Sequence, residues 1–286
     1  MTTKHGLLLC LLSVPAIAGN IAPANRYAYD ANAGWIDFSP TPATGVTVGN
    51  YFLKGYAYAA NYGWINLGIG PANKLAYTST GTDQGVNVIP ATGALAGYAY
   101  AANTGWIHFG WAGNNDPNRA RINLITGVFS GFAYSANTGW ISLSTLKSTS
   151  LAITDSDTDG IDDAWEIANF NNLTAAGIGT DFDKDGQTDA AENAAGTLPK
   201  NAASWLRITS NSVNSGRTVS TITFTSTPTR LYQLQCSLTL NNDWVTAPTN
   251  LAGPAEFPGG AGATTTVTST HPTGALRFFR VSARNY

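Results

Sequence analysis

Between residues 27 and 143 one phrase occurs four times: YAYDANAGWIDF (27–38), YAYAANYGWINL (56–67), YAYAANTGWIHF (98–109) and FAYSANTGWISL (132–143). A unit this short cannot bury a hydrophobic face alone, so the copies must stack, which restricts this half of the chain to a repeat-built β architecture. Each copy reads as a hairpin: a Tyr-Ala-Tyr strand, an Asn-x-Gly turn, then Trp-Ile-polar-apolar. Asn32, Asn61, Asn103 and Asn137 can bond their own backbone, and the glycine two residues later tolerates positive φ. A further strand, 85–89, precedes the third copy through a Pro-Ala-Thr-Gly turn, so a repeat reads as a small meander. A solenoid, a prism and a propeller-like array all satisfy this pattern. The tryptophan spacings of 29, 42 and 34 residues favour loops of variable length over a strict solenoid.

Strand alternation divides each phrase into two faces. Ile36, Ile65, Ile107 and Ile141 share one face with Phe38, Leu67, Phe109 and Leu143, and that face is the predicted core. Trp35, Trp64, Trp106 and Trp140 fall on the other face, beside a varying polar residue: Asp37, Asn66, His108 or Ser142. Two readings follow. The aromatic rings form a ladder that packs repeat on repeat with polar tips in water. Alternatively, the four tryptophans form a row of exposed platforms that face a sugar or another polymer.

The second constraint is acidic. Asp155-Ser-Asp157-Thr-Asp159-Gly160 and Asp181-Phe-Asp183-Lys-Asp185-Gly186 are each followed, after five residues, by Glu166 and Glu192. Both segments fit the twelve-residue calcium loop D-x-[DN]-x-[DN]-G-x5-E at every defined position. Calcium takes six to eight oxygens. Asp155, Asp157, Asp159 and Asp181, Asp183, Asp185 supply carboxylates at positions 1, 3 and 5. Ile161 and Gln187 offer backbone carbonyls at position 7. Asp163 and Asp189 can bind through water at position 9, and Glu166 and Glu192 close the sphere with two oxygens each. Eleven of the 17 acidic residues lie in this short stretch with one base, Lys184, so the segment repels itself unless cations neutralise it. Short helices are expected after each loop, ending near Phe170 and at Gly196, with no helix before either loop. A calcium sensor opens by moving paired helices, so a structural role is expected.

DSDTDGIDDAWEIANF and DFDKDGQTDAAENAAGTLPKNAASWLRI resemble the thrombospondin type 3-like calcium segment of secreted bacterial proteins. The resemblance extends over about residues 155–286 and implies a small β domain after the calcium segment. The loops are also similar to dockerin, a family that binds cohesin. Dockerins often carry Ser-Thr at loop positions 10 and 11, where this chain has Ala164-Trp165 and Ala190-Ala191.

Residues 1–18 read as a secretory signal: Lys4, an apolar run over 6–14, and the small-residue site Ala16-Ile-Ala18. That run is too short to span a bilayer, and no later stretch is apolar enough. After cleavage Cys236 is the only cysteine, which excludes an internal disulfide and leaves calcium as the staple. Low charge and abundant Gly, Asn, Thr and aromatics point to an extracellular β protein. The scattered bases exclude a nucleic-acid footprint.

After Pro199, six short β-like runs predict an antiparallel sandwich. Its predicted interior holds Ile208, Val219, Ile222, Phe224, Tyr232, Leu234, Trp244, Val267, Phe278 and Val281. The expected organisation is mostly β: signal 1–18, repeat domain 19–150, calcium loops 151–200, sandwich 201–286. No catalytic constellation is legible. His108 and His271 lie in different domains, and Asp30 with Asp37 is the one local carboxylate pair. A repeat-built glycosidase stays open because its acids need not be close in sequence. The expected function is a secreted or cell-surface, calcium-braced structural or adhesion protein with a protein or glycan partner.

Overall fold

The computed structural model describes residues 19–41, 43–251, 255–272 and 277–285, so the signal at 1–18 lies outside the described residues. The described residues are mostly β, with two short α-helices. The four phrases form four hairpins: β1 (Tyr27–Asp30) with β2 (Gly34–Asp37), β3 (Tyr56–Ala59) with β4 (Gly63–Asn66), β5 (Ala94–Ala101) with β6 (Gly105–His108), and β7 (Phe132–Ser135) with β8 (Gly139–Ser142). All four share one register, in which Ala28 faces Ile36, Ala57 faces Ile65, Ala99 faces Ile107 and Ala133 faces Ile141. Neighbouring hairpins also pair antiparallel, and β8 returns to β1. The repeats therefore close into an eight-stranded up-and-down barrel. A ring of this size has an interior that side chains can fill, and closure removes both sheet edges. Alternating Ala and Ile do the filling, and all eight are buried. Truncating one such isoleucine to Ala should cost about 2–5 kcal/mol.

The turns lock the ring. Asn61 donates its side-chain N–H to the Ala33 carbonyl (3.0 Å), Asn103 to Tyr62 (3.2 Å), Asn137 to Thr104 (2.7 Å) and Asn32 to Thr138 (2.7 Å). Each amide thus reaches the preceding hairpin's turn, and the first reaches the fourth. The expectation that each Asn bonds its own backbone is corrected, because closure sets a neighbouring turn carbonyl beside every amide. Tyr62 is buried within this end of the barrel and donates to the Asp30 carboxylate; Thr138 donates to the same group at 2.8 Å. Burial, then the bond to Asp30, pushes the Tyr62 hydroxyl pKa well above its usual value.

At the opposite end the wall continues into a second tier. Strand β5 passes through Gly97 at φ 82°, and its first half pairs with Val86–Ile89 and Arg121–Ile122. A Cβ on Gly97 would lie 2.3 Å from the Gly85 carbonyl oxygen, so this bend admits only glycine. The paired strand and turn before the third phrase are as read from the sequence.

The acidic segment follows, with α1 (Asp163–Phe170) and α2 (Asp189–Ala195) each directly behind a loop. Beyond it, β9 (Ile208–Val213), β10 (Val219–Thr225) and β12 (Thr264–Thr270) form one sheet. The other sheet is built on β11 (Leu231–Ser237), paired with β13 (Phe278–Arg284). Ile222, Phe224 and Val267 from the first sheet meet Tyr232, Leu234, Cys236 and Phe257 from the second. Three predicted interior residues differ. Strand parity turns Phe279, Val281 and Ala283 inward and leaves Phe278 44% exposed. Parity likewise turns Val219 away from Ile222 and Phe224, and Trp244 lies outside the core with the Arg280 guanidinium 4.4 Å above its ring.

Candidate metal centres and the aromatic belt

The two acidic loops turn through the same set of hydrogen bonds. Asp155 accepts from the backbone N–H of Thr158 (2.7 Å) and Gly160 (2.9 Å), and Asp181 from Lys184 (2.7 Å) and Gly186 (3.0 Å). These bonds hold Thr158 and Lys184 at positive φ, and Gly160 and Gly186 complete the bend. Asp159 and Asp185 each use one oxygen on the backbone N–H two residues on. The position-9 carboxylates are clasps. Asp163 accepts from the Ser156 N–H (2.7 Å) and Ser156 hydroxyl (2.6 Å), and Asp189 accepts from the Phe182 N–H (3.2 Å) and the Thr180 hydroxyl (2.5 Å). Asp162 caps α1 through the Ala164 N–H (3.0 Å), and Thr188 caps α2 through Ala191 (3.2 Å).

What remains inside the loops is a set of oxygens without donors. Asp155, Asp157 and Asp163 offer oxygens within 4.8 Å of one another, as do Asp157, Asp159 and Glu166, and Asp181, Asp183 and Asp185. Both oxygens of Glu166, and one each of Asp159, Asp183, Asp185 and Glu192, are buried with no hydrogen-bond partner. Unpaired carboxylates removed from water cost several kcal/mol each, so such a set is stable only with a cation or protons. Burial first, then the neighbouring aspartates, pushes Glu166 up to about 7. Burial likewise pushes Glu192 up to about 7, opposed by the Thr197 hydroxyl and assisted by Asp183, Asp185 and Asp189. These clusters could hold a metal ion, and the donor set is all oxygen, which suits a hard cation. Ile161 is fully buried and packs with Trp165, Phe170 and Ala176, so position 7 of loop 1 also seats a small core; Gln187, its counterpart, is half-buried.

Contacts tie this segment to both β domains. Lys74, from the repeat domain, reaches Asp163 (3.1 Å) and the Ser156 hydroxyl (2.8 Å). Arg230, from the sandwich, is buried and donates through Nε to the Asn193 carbonyl (2.7 Å), and the Tyr232 hydroxyl donates to the Ala195 carbonyl (2.8 Å). Phe170 and Phe182 join the loops, ring centroids 5.2 Å apart, with the Lys200 ammonium 4.9 Å from the Phe170 ring centre.

On the barrel's outer wall Trp35, Trp64, Trp106 and Trp140 are 57, 49, 48 and 48% exposed. Each lies edge-on or tilted to two rings of its own hairpin, such as Tyr27 and Tyr29 for Trp35. Closure turns the expected row into a belt: the four clusters point outward in different directions. A flat ligand therefore meets only part of the belt. Sequence reasoning passed over Trp111, which lies against Trp140 with ring centroids 4.6 Å apart. Its signal was one extra tryptophan two residues after the third phrase. Lys74 and Arg230 were also missed, because only the tertiary fold brings them to the loops.

Asp30 and Asp37 do not form a carboxylate pair. Asp30 is buried inside the ring, while Asp37 faces outward on Arg26 (2.6 Å). His108 stacks on Tyr98, centroids 4.4 Å apart. His271 lies 3.0 Å from the Ser220 hydroxyl, yet Ser220 is buried in the sandwich, and among the described residues the second ring nitrogen of His271 faces the Pro272 carbonyl at 3.4 Å. No helix among the described residues is long and apolar enough to cross a membrane. Comparison with known protein families, with characterised proteins and with solved structures finds no match to this chain.

Proposed function

We propose that this chain is an exported, non-catalytic structural or adhesion protein whose two acidic loops each take one calcium ion and brace the connection between the repeat barrel and the sandwich. The observation that carries this reading is the set of buried, unpartnered carboxylate oxygens of Glu166, Asp159, Asp183, Asp185 and Glu192, borne on two loops of one sequence pattern. Calcium is chosen over magnesium because a twelve-residue loop closed by glutamate suits a large, flexible oxygen sphere. Affinity should fall at about 10⁻⁴ to 10⁻³ M, the range of extracellular modules. The basic, apolar and small-residue pattern of 1–18 supports export. Among the described residues no helix leads directly into either loop, which supports a brace over a sensor.

Binding energy here is folding energy, so millimolar calcium should raise the melting temperature and protect residues 151–200 from protease. Asp157→Ala with Asp183→Ala should abolish both effects. Calorimetry showing no heat of calcium binding to the wild-type chain would remove the proposal.

A second reading has its own observation. Half-exposed indoles at Trp35, Trp64, Trp106 and Trp140 support a glycan-binding role for the belt over a purely internal packing role. Tryptophan fluorescence titrated with polysaccharides tests it.

A further inference from the structure

The belt is not four equal sites. Only at the fourth hairpin does a second tryptophan turn an exposed indole into a concave corner. Trp111 and Trp140 meet at an interplanar angle of 67°, and with Phe132 and Asn118 they line a hollow of about 300 Å³. That volume is at the lower end of the range for ligand pockets, about 300–1,000 Å³.

The corner is built and held. The Trp111 indole N–H donates to the Phe132 carbonyl at 2.6 Å, which fixes the ring beside the first residue of β7. Behind it, buried Arg119 donates to the Leu95 carbonyl (2.7 and 3.0 Å), the Ala112 carbonyl (2.6 Å) and the Asn114 side chain (2.5 Å). Arg121 donates to the carbonyls of Asn114 and Asp116. Two guanidinium groups thus clamp the 110–118 loop, so the aromatic walls are fixed before any ligand arrives. Preorganisation of this kind cuts the entropic cost of binding.

The chemistry around the corner selects its occupant. Both nearby cations are spent on loop carbonyls, and the Asp116 carboxylate accepts from the Asn118 N–H. The four residues that line the hollow are all uncharged. The Asn118 side chain is exposed, and its amide makes no hydrogen bond to the described residues. An uncharged ligand with flat, weakly positive C–H faces and a hydroxylated rim meets all these conditions. Its faces would lie on the electron-rich faces of Trp111 and Trp140, and its rim would meet the Asn118 amide and water.

We propose that the Trp111–Trp140 corner is the primary sugar-binding site of the protein, seating one pyranose ring of a neutral glycan. This rests on the glycan-binding reading of the belt and adds to it a single site with a residue outside the repeated phrase. The test is calorimetry and tryptophan fluorescence on the full chain in millimolar calcium. The probes are neutral hexasaccharides of β-1,4-glucose, α-1,4-glucose, β-1,4-xylose and β-1,4-N-acetylglucosamine. At least one should bind saturably. Trp111→Ala and Trp140→Ala should weaken it at least about tenfold, the scale of one aromatic stacking contact. Trp111→Phe, which keeps a ring face, should retain part of the affinity, and Trp205→Ala, at an exposed indole outside the repeats, should leave it unchanged. An unaltered melting temperature for Trp111→Phe guards against misfolding as the cause. Saturable binding that survives Trp111→Ala but fails in Trp35→Ala or Trp64→Ala overturns the corner and keeps the belt. No binding of any probe overturns both, as does a corner that takes free indole but no sugar.

Discussion

Loop 1 and loop 2 turn through matching hydrogen bonds, yet they are tied to different parts of the molecule. In loop 1 the clasp residue Asp163 carries the Lys74 ammonium from the repeat domain, and both oxygens of Glu166 are without partners. In loop 2 the clasp Asp189 accepts from the Thr180 hydroxyl and the Phe182 N–H with no cation on it among the described residues, and one oxygen of Glu192 accepts from Thr197 at 3.1 Å. Behind loop 2, the helix end is held by Arg230 and Tyr232 of the sandwich. One sequence pattern therefore builds two related carboxylate clusters: the loop 1 groupings include Asp163 and Glu166, whereas the loop 2 grouping holds Asp181, Asp183 and Asp185. Their surroundings decide how many oxygens remain for a cation and which domain a cation held there would steady.

The largest test of this difference is removal of the closing glutamates. Glu166→Gln should lower loop 1 affinity by more than the roughly 10–100-fold that loss of an outer-shell partner costs. Glu192→Gln should cost loop 2 less, because that carboxylate already shares an oxygen with Thr197. Without calcium the sign reverses: Glu166→Gln should melt higher than wild type, since a buried unpaired carboxylate is gone. Equal losses in the two variants, by calorimetry, would erase the distinction between the loops.

Acid should act on both loops. Glu166 and Glu192 are raised to about 7 in the folded, cation-free protein, above the ordinary value near 4.5. The folded state therefore binds more protons than the unfolded state between those values. Stability contributed by these protons is full below about 4.5 and is lost as pH rises through about 7. Cation-free protein should melt lower at pH 7.5 than at pH 5. Saturating calcium should flatten that slope, and calcium affinity should fall as pH drops below 7, because each glutamate must release a proton. A melting temperature that rises with pH in chelator would contradict the burial of these two carboxylates.

The two anchors rank next. Arg230→Ala leaves the buried Asn193 carbonyl without its donor and should destabilise the connector by about 1–3 kcal/mol. The Lys74 side chain is 38% exposed while its partner Asp163 is fully buried; because Ser156 keeps two hydrogen bonds on that carboxylate, Lys74→Ala should cost about 1 kcal/mol. Limited proteolysis of residues 151–200 in calcium should follow that order, and the reverse order would place the stronger anchor on the barrel side.

Much of this was legible in the chain. The loop pattern fixed which oxygens converge, because the spacing of Asp155, Asp157, Asp159 and Glu166 is set by local turns. Alternation fixed which face of each hairpin is buried, since Ile36 and Trp35 must point opposite ways. Closure into a ring was not legible. It depends on β8 returning to β1, a contact between residues more than a hundred positions apart, and it is what redirects Asn32 from its own turn to Thr138. Parity within a single strand was legible but misapplied at Phe278 and Val281, which cannot both face the core. Lys74, Trp111 and Arg230 carry no local pattern, and they acquire roles only through the partners that folding brings to them.

The smallest effect separates the loops most finely. Thr197 is the residue after the C-cap of α2, and its hydroxyl holds Glu192 Oε1 while Oε2 stays unpartnered. A calcium ion closing loop 2 with both glutamate oxygens must compete with that hydrogen bond. Replacing Thr197 with Val keeps the shape and removes the donor, so Glu192 becomes as free as Glu166. A neutral donor to a carboxylate contributes about 1 kcal/mol net, and part of it is recovered by water, so the gain in loop 2 affinity should be roughly two- to fivefold. No change should appear in loop 1. Calorimetry of Thr197→Val in the Glu166→Gln background reads loop 2 alone, and an affinity that falls would mean that Thr197 orients Glu192 for the ion and does not compete with it.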